Sequence, residues 1–120
     1  MAKLKATPRN YEQAAEYLAG RSSVKLGNNT YLKTNNPMCL PEGYLPIVVR
    51  LHKTDIVKFF PDDRVTLHTG GYRTVTTKER INQFIAGRVY QKNHSWFYQP
   101  AGDIATRPIA REFTEGIEVS

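Results

Sequence analysis

The 120-residue chain has one cysteine, Cys39, and one tryptophan, Trp96. A lone cysteine excludes an intrachain disulfide and a cysteine metal cage, so Cys39 reads as a small residue in or beside a loop. No apolar run approaches the ~20 residues that a membrane helix requires. The charged start Met1-Ala2-Lys3-Leu4-Lys5 is not followed by the apolar core of a signal peptide. The expectation is a cytoplasmic protein without a membrane partner. The chain has no internal repeat and no low-complexity tract. It also has no Ser/His/Asp triad, paired catalytic carboxylates, zinc-finger spacing or dinucleotide fingerprint. No cofactor is expected.

Acidic side chains are scarce: 11 against 17 Lys and Arg, for a net charge of +6. Residues 1–100 hold 15 basic and 7 acidic side chains, net +8. Residues 101–120 hold Arg107 and Arg111 against Asp103, Glu112, Glu115 and Glu118, net −2. A basic body with an acidic tail suits a polyanionic partner, or a tail that covers part of the basic face. Solvated surface charge with no target is the alternative.

At 40% apolar and 23% charged residues, the chain is ordinary for a globular protein. The expectation is one α+β domain over 1–120, an antiparallel meander with hairpins and two short helices. Residues 1–9 and 101–120 are expected as looser ends, and 34–46, with Pro37, Pro41 and Pro46, as a long loop. The first helix starts at Pro8 or Tyr11, where Thr7-Pro8 or Asn10 with Gln13 can cap it. It ends at Ala19, with Gly20 as the stop. Tyr11, Ala14, Ala15 and Leu18 share one face of it. Thr30 to Lys33 reads as a strand after the Gly27-Asn28-Asn29 turn signal. Strands are expected at 47–52, 55–60 and 64–68, turning at Lys53-Thr54 and Asp62-Asp63. Thr76 with Glu79 forms a capping box for a second helix that runs to Ala86 and stops at Gly87. A hairpin of 88–92 and 95–99 turns at Asn93-His94, and 117–119 can add an edge strand.

In that register His52 faces Asp55, Arg50 faces Val57 and Val57 faces His68. Ile47, Val49, Leu51, Ile56, Phe60, Val65 and Leu67 then form a core face, with Lys58 the one charged exception. Arg50, His52, Asp55, Thr66 and His68 fall on the other face, with Val48, Val57 and Phe59. Arg50, His52, Asp55 and His68 can then serve as a plain ion-pair patch or as an anion site in which Asp55 orients His52. They can also supply a metal site from His52, Asp55 and His68, or acid–base chemistry on a phosphodiester. Of these, anion binding is the expectation, with no metal and no catalytic residue assigned. His52-Lys53-Thr54 resembles half of a two-histidine phosphoesterase signature, but neither His68-Thr69-Gly70 nor His94-Ser95-Trp96 completes it.

Gly70 to Lys78 joins glycines, hydroxyls and cations ahead of a helix, which suits a phosphate, although the spacing is not that of a Walker loop. Arg73, Lys78 and Arg80 are its candidate anion ligands; a turn with a helix cap is the plainer reading. In the last hairpin Val89, Gln91, Trp96 and Tyr98 share one face, while Tyr90 and Phe97 share the other with Arg88 and Lys92. One set suits a core. The aromatic and basic mixture, Arg88, Lys92 and Trp96 included, suits base stacking, or simple cross-strand pairing.

Three stretches belong together: Leu26 to Leu32 (LGNNTYL), Val49 to Val57 (VRLHKTDIV) and Val65 to Asn82 (VTLHTGGYRTVTTKERIN). With Arg88-Val89-Tyr90 and Trp96-Phe97 they resemble small proteins of tailed bacteriophages and prophages over residues 11–98. Tyr72 stands where Trp is commoner in that group, His68 where Asn is commoner, and the insert at 34–46 is longer. The resemblance implies a phage protein acting in the bacterial cytoplasm and no particular mechanism. The leading expectation is a non-enzymatic module that contacts nucleic acid or a phosphorylated ligand. The second is a phage inhibitor that docks on a host protein such as a defence component. The third is a small phosphodiesterase or nuclease.

Overall fold

Alternating burial along short segments builds most of this molecule. The computed structural model describes residues 4–27, 29–34, 46–62, 64–71, 73–100 and 110–119. The proline-rich loop, apart from Thr34 and Pro46, lies outside the described residues, as do Asn28, Cys39, Asp63 and Tyr72.

Helix α1 (Tyr11–Leu18) opens at Asn10, whose side chain accepts from the Gln13 N–H at 2.8 Å, while Gln13 Oε1 accepts from the Arg9 N–H at 2.9 Å. This reciprocal capping is the second of the two expected choices. Its C-cap is Ala19, at φ 51°, one residue before the expected glycine. Ala14 and Leu18 are its buried residues.

Strand β1 (Ser23–Gly27), which the sequence pattern did not mark, pairs with β2 (Thr30–Thr34). Its one buried residue, Leu26, leaves too little alternation to read. A Cβ at Gly27 would lie 2.7 Å from Leu4 Cδ2, so glycine there lets the N-terminal segment pack on the sheet. Leu4 belongs to the core and Lys5 N–H donates to Leu26 O at 2.8 Å.

The meander continues through β3 (Ile47–Leu51), β4 (Thr54–Phe59) and β5 (Val65–Leu67), and β9 (Ile117–Val119) closes the edge. The sheet order is β1-β2-β3-β4-β5-β9, with every neighbour antiparallel. The expected register of β3 and β4 is corrected here. The turn is His52-Lys53, so Leu51 pairs with Thr54 and Arg50 with Asp55. A bulge follows, and Val49 then pairs with Val57. Ile56 and Val57 are both buried because a bulge sends two consecutive side chains to one side. Beyond it the alternation is inverted. Val57 and Phe59 enter the core, Lys58 points out, and Phe60 is only half-buried. Val57 pairs with Leu67 rather than His68.

Helix α2 (Val75–Asn82) is capped by Thr74, whose hydroxyl accepts from the Thr77 N–H at 3.2 Å; the Thr76–Glu79 box does not cap it. The helix ends at Asn82 rather than Ala86, and Phe84 and Ile85 are buried from the turn that follows. Asn82 joins helix to sheet: its Nδ2 donates to Val89 O at 2.9 Å and its Oδ1 accepts from Val89 N–H at 2.7 Å.

The second sheet holds β6 (Arg88–Lys92), β7 (Ser95–Gln99) and β8 (Arg111–Glu112). The β6–β7 register is the expected one, with Tyr90 across from Phe97 and Gln91 from Trp96. Asn93 and His94 both have positive φ, 52° and 67°, as a two-residue type I′ turn requires. Val89, Trp96 and Tyr98 face a single core that also takes Phe113, the α2 residue Ile81 and the inner face of the large sheet. The α+β architecture is therefore the one the sequence indicates. No helix among the described residues is long and apolar enough to cross a membrane.

Candidate nucleic-acid interface

The outer face of the large sheet carries charge in two rows. One row runs Lys33, Val48, Lys58, Thr66, Glu118 across β2, β3, β4, β5 and β9. The other runs Lys25, Tyr31, Arg50, Asp55 across β1 to β4. Direct partners project to the same side, so each row is a line of neighbouring side chains one strand spacing apart, about 4.8 Å. The inner neighbours of Tyr31, Thr30 and Leu32, are fully buried, while Tyr31 itself is 37% exposed.

Lys33, Arg50 and Lys58, with Asp55, line an open groove of about 420 Å³ on this face. Arg50 Nε lies 3.3 Å from Asp55 Oδ1, and both side chains are about a third exposed. Those two atoms meet as an ion pair without hydrogen-bond alignment. At that exposure the pair contributes under ~1 kcal/mol, but it fixes where the guanidinium points. A second groove of about 500 Å³ shares Asp55 and Lys58 with the first and continues to Lys53, His68, Gly70 and Glu115. Burial, then the nearby Lys58, lowers the His68 pKa below its ordinary 6.5, against the opposing pull of Glu115 and Asp55. Thr66 Oγ1 is 3.0 Å from His68 Nε2.

His52 does not join that group. It sits exposed in the β3–β4 turn at φ 55° and lines a different cavity of about 450 Å³, with Leu51, Ile56, Thr69 and the threonines that begin α2. The set of His52, Asp55 and His68, on which the metal and acid–base readings rest, is thus divided between two neighbouring cavities that share Lys53 and Thr54. Among the described residues no group of three or more His, Cys, Asp and Glu is placed to hold a metal.

Of the cations before and within α2, Arg73 is exposed and Lys78 half-buried, both beside aromatic rings, and Arg80 is buried. Arg73 lies 5.8 Å from the Trp96 ring centre and 5.3 Å from that of Phe113, and Lys78 lies 5.9 Å from Trp96. Trp96 is itself 3% exposed, edge-on to Phe113, so its ring is core rather than a stacking platform. Arg80 is 5% exposed. Arg88 and Lys92 are exposed on the outer face of the small sheet, around the Tyr90–Phe97 stack at 5.7 Å.

Sequence reasoning missed Tyr31, Lys33, Lys58 and Glu115 as members of one surface. The signal was present at Lys58, a cation that no unbroken alternation could accommodate. Glu115 joins from the far end of the chain through contacts no local pattern announces: it accepts from Thr69 N–H at 2.7 Å, from Gly70 N–H at 3.1 Å and from the Thr69 hydroxyl.

Comparison with known proteins gives one relationship. No curated protein and no solved structure matches the chain. The family model described as Kyanoviridae Gp96 protein matches residues 9–120, nearly the whole sequence. The chain accordingly belongs to the Kyanoviridae Gp96 family and is a phage protein.

Proposed function

We propose that this phage protein is a non-enzymatic module that binds single-stranded nucleic acid across the outer face of its six-stranded sheet. The observation that carries this reading is the placement of Lys33, Arg50 and Lys58 in one open groove, with Tyr31 exposed beside Arg50 on the same face. Cations along a groove track phosphates, and an exposed ring stacks on an unpaired base. A base inside a duplex does not offer its face, so the arrangement favours a single strand. The test is binding of labelled single- and double-stranded oligonucleotides over a salt series. The expected result is single-strand preference with affinity falling as salt rises; absent or salt-indifferent binding counts against it.

Membership in a phage family supports a second reading, an inhibitor that docks on a host protein such as a defence component. Pulldown from nuclease-treated bacterial lysate separates the two. One stoichiometric protein that survives the nuclease favours the inhibitor.

A further inference from the structure

An oxyanion receptor stands where the second groove ends, and the chain fills it with one of its own side chains. Two successive backbone N–H groups, of Thr69 and Gly70, converge on the Glu115 carboxylate, the nest geometry that suits an anion. Gly70 has φ +61°, and a Cβ there would lie 3.0 Å from Thr54 Cγ2, so the site is built on glycine. The Thr69 hydroxyl accepts from Gly71 N–H at 3.2 Å, which leaves its own proton for Glu115 Oε2. Arg73 Nη2 adds a positive charge 3.8 Å from the same oxygen. Every group that meets the carboxylate is a donor or a cation. Burial alone would raise the Glu115 pKa, yet the Thr69 and Gly70 hydrogen bonds and Arg73 outweigh it and lower it, so the group stays an anion.

We propose that Thr69, Gly70 and Arg73 form a receptor for a phosphate group, which Glu115 occupies in the free chain and yields to a phosphate of the bound strand. The inference rests on the nucleic-acid reading, because the groove that holds Gly70 and Glu115 shares Lys58 and Asp55 with the Lys33–Arg50 groove. A strand lying along Lys33 and Lys58 is thereby led to the receptor. Phosphate competes with carboxylate because it brings more charge and more acceptor oxygens to the same donors. Glu115 leaves by side-chain rotation alone: its neighbour Gly116, at φ +82°, keeps the turn by donating its N–H to Leu67 O at 2.7 Å. Glu115 thus covers part of the basic surface in cis.

The test compares the wild type with Glu115→Ala, using inorganic phosphate and then a single-stranded oligonucleotide with or without a 5′-phosphate. The E115A protein should take up inorganic phosphate with shifts of the Thr69 and Gly70 amide resonances that the wild type lacks. Its oligonucleotide affinity should rise about tenfold, the worth of one charge-assisted contact. In the wild type, which needs no substitution to fold, oligonucleotide should shift the same two amides. A larger shift with the 5′-phosphorylated strand assigns the receptor to a terminal phosphate, and equal shifts assign it to a backbone phosphate. Oligonucleotide that moves the Lys33 and Lys58 amides but leaves Thr69 and Gly70 still overturns the receptor and spares the sheet-face reading. Phosphate uptake by E115A when neither protein binds oligonucleotide does the reverse.

Discussion

Arg50 stands directly across from Asp55, with its Nε 3.3 Å from the carboxylate, because β4 carries one residue more than β3 between their Val49–Val57 and Arg50–Asp55 pairs. That extra residue decides which side chains meet water. Without it, Val57 and Phe59 would face out and Lys58 in. With it, both hydrophobic residues enter the core and Lys58 joins Lys33 and Arg50.

Two adjacent phenylalanines report on this arrangement. Phe59 is fully buried, whereas Phe60 is half-buried with the Arg64 guanidinium 4.6 Å from its ring centre. Phe59→Ala should cost about 3–5 kcal/mol and Phe60→Ala about 1 kcal/mol. Chemical denaturation of the two variants checks the order. An inverted order would restore the unbulged register.

The β6–β7 turn stores local strain at His94. Its φ of 67° places a side chain in a region that glycine enters without a Cβ clash. His94→Gly should stabilise the protein by about 0.5–1 kcal/mol, a few degrees in Tm, with the entropy of glycine in the unfolded chain limiting the gain. His94→Val should destabilise it, because a β-branched residue fits that φ worst. Thermal melts of both variants decide the matter.

Acid should weaken the fold in two steps. The folded-state pKa of His68 is depressed below 6.5, by burial first and Lys58 second, so the unfolded chain takes up a proton more readily. Stability is then full above pH 6.5 and declines as pH falls from 6.5 through the folded-state value. The Glu115 pKa is lowered from 4.5, despite burial, by its Thr69 and Gly70 hydrogen bonds and Arg73. Its contribution is present above pH 4.5 and is lost as pH falls through its folded-state value. His68→Asn should remove the first decline and leave the second. Denaturation midpoints measured from pH 7 to pH 3 show whether it does.

How legible these features are in the sequence depends on how local their causes are. The β6–β7 register follows from Asn93-His94 and strict alternation, and the structure has it residue for residue. The Asn10–Gln13 cap is equally local. The β3–β4 register is not, because a bulge at Ile56-Val57 changes every later residue's side. Its traces are that unbroken alternation puts Lys58 on the core face and Val57 and Phe59 on the outer one. Strand β1 forms because β2 lies beside it, and Leu26 alone gives no period to read. Helix α2 ends at Asn82, whose side chain bonds Val89 in the next strand, and Phe84 and Ile85, spaced for a helix, are buried from the turn that follows. Asp55 and His68 line one groove and Arg50 pairs with Asp55 beside it, whereas His52 lines another cavity because the turn falls at His52-Lys53.

The most direct measurement is the single-strand affinity of Lys58→Glu beside that of Lys92→Glu, over a salt series. Lys58 lines both outer grooves of the large sheet, and Lys92 lies on the small sheet. Lys58→Glu should weaken binding at least about tenfold and reduce the salt slope by about 1, the signature of one lost phosphate contact. Lys92→Glu should change it little. Equal effects of the two reversals, or wild-type affinity in Lys58→Glu, would contradict a strand lying across the six-stranded sheet.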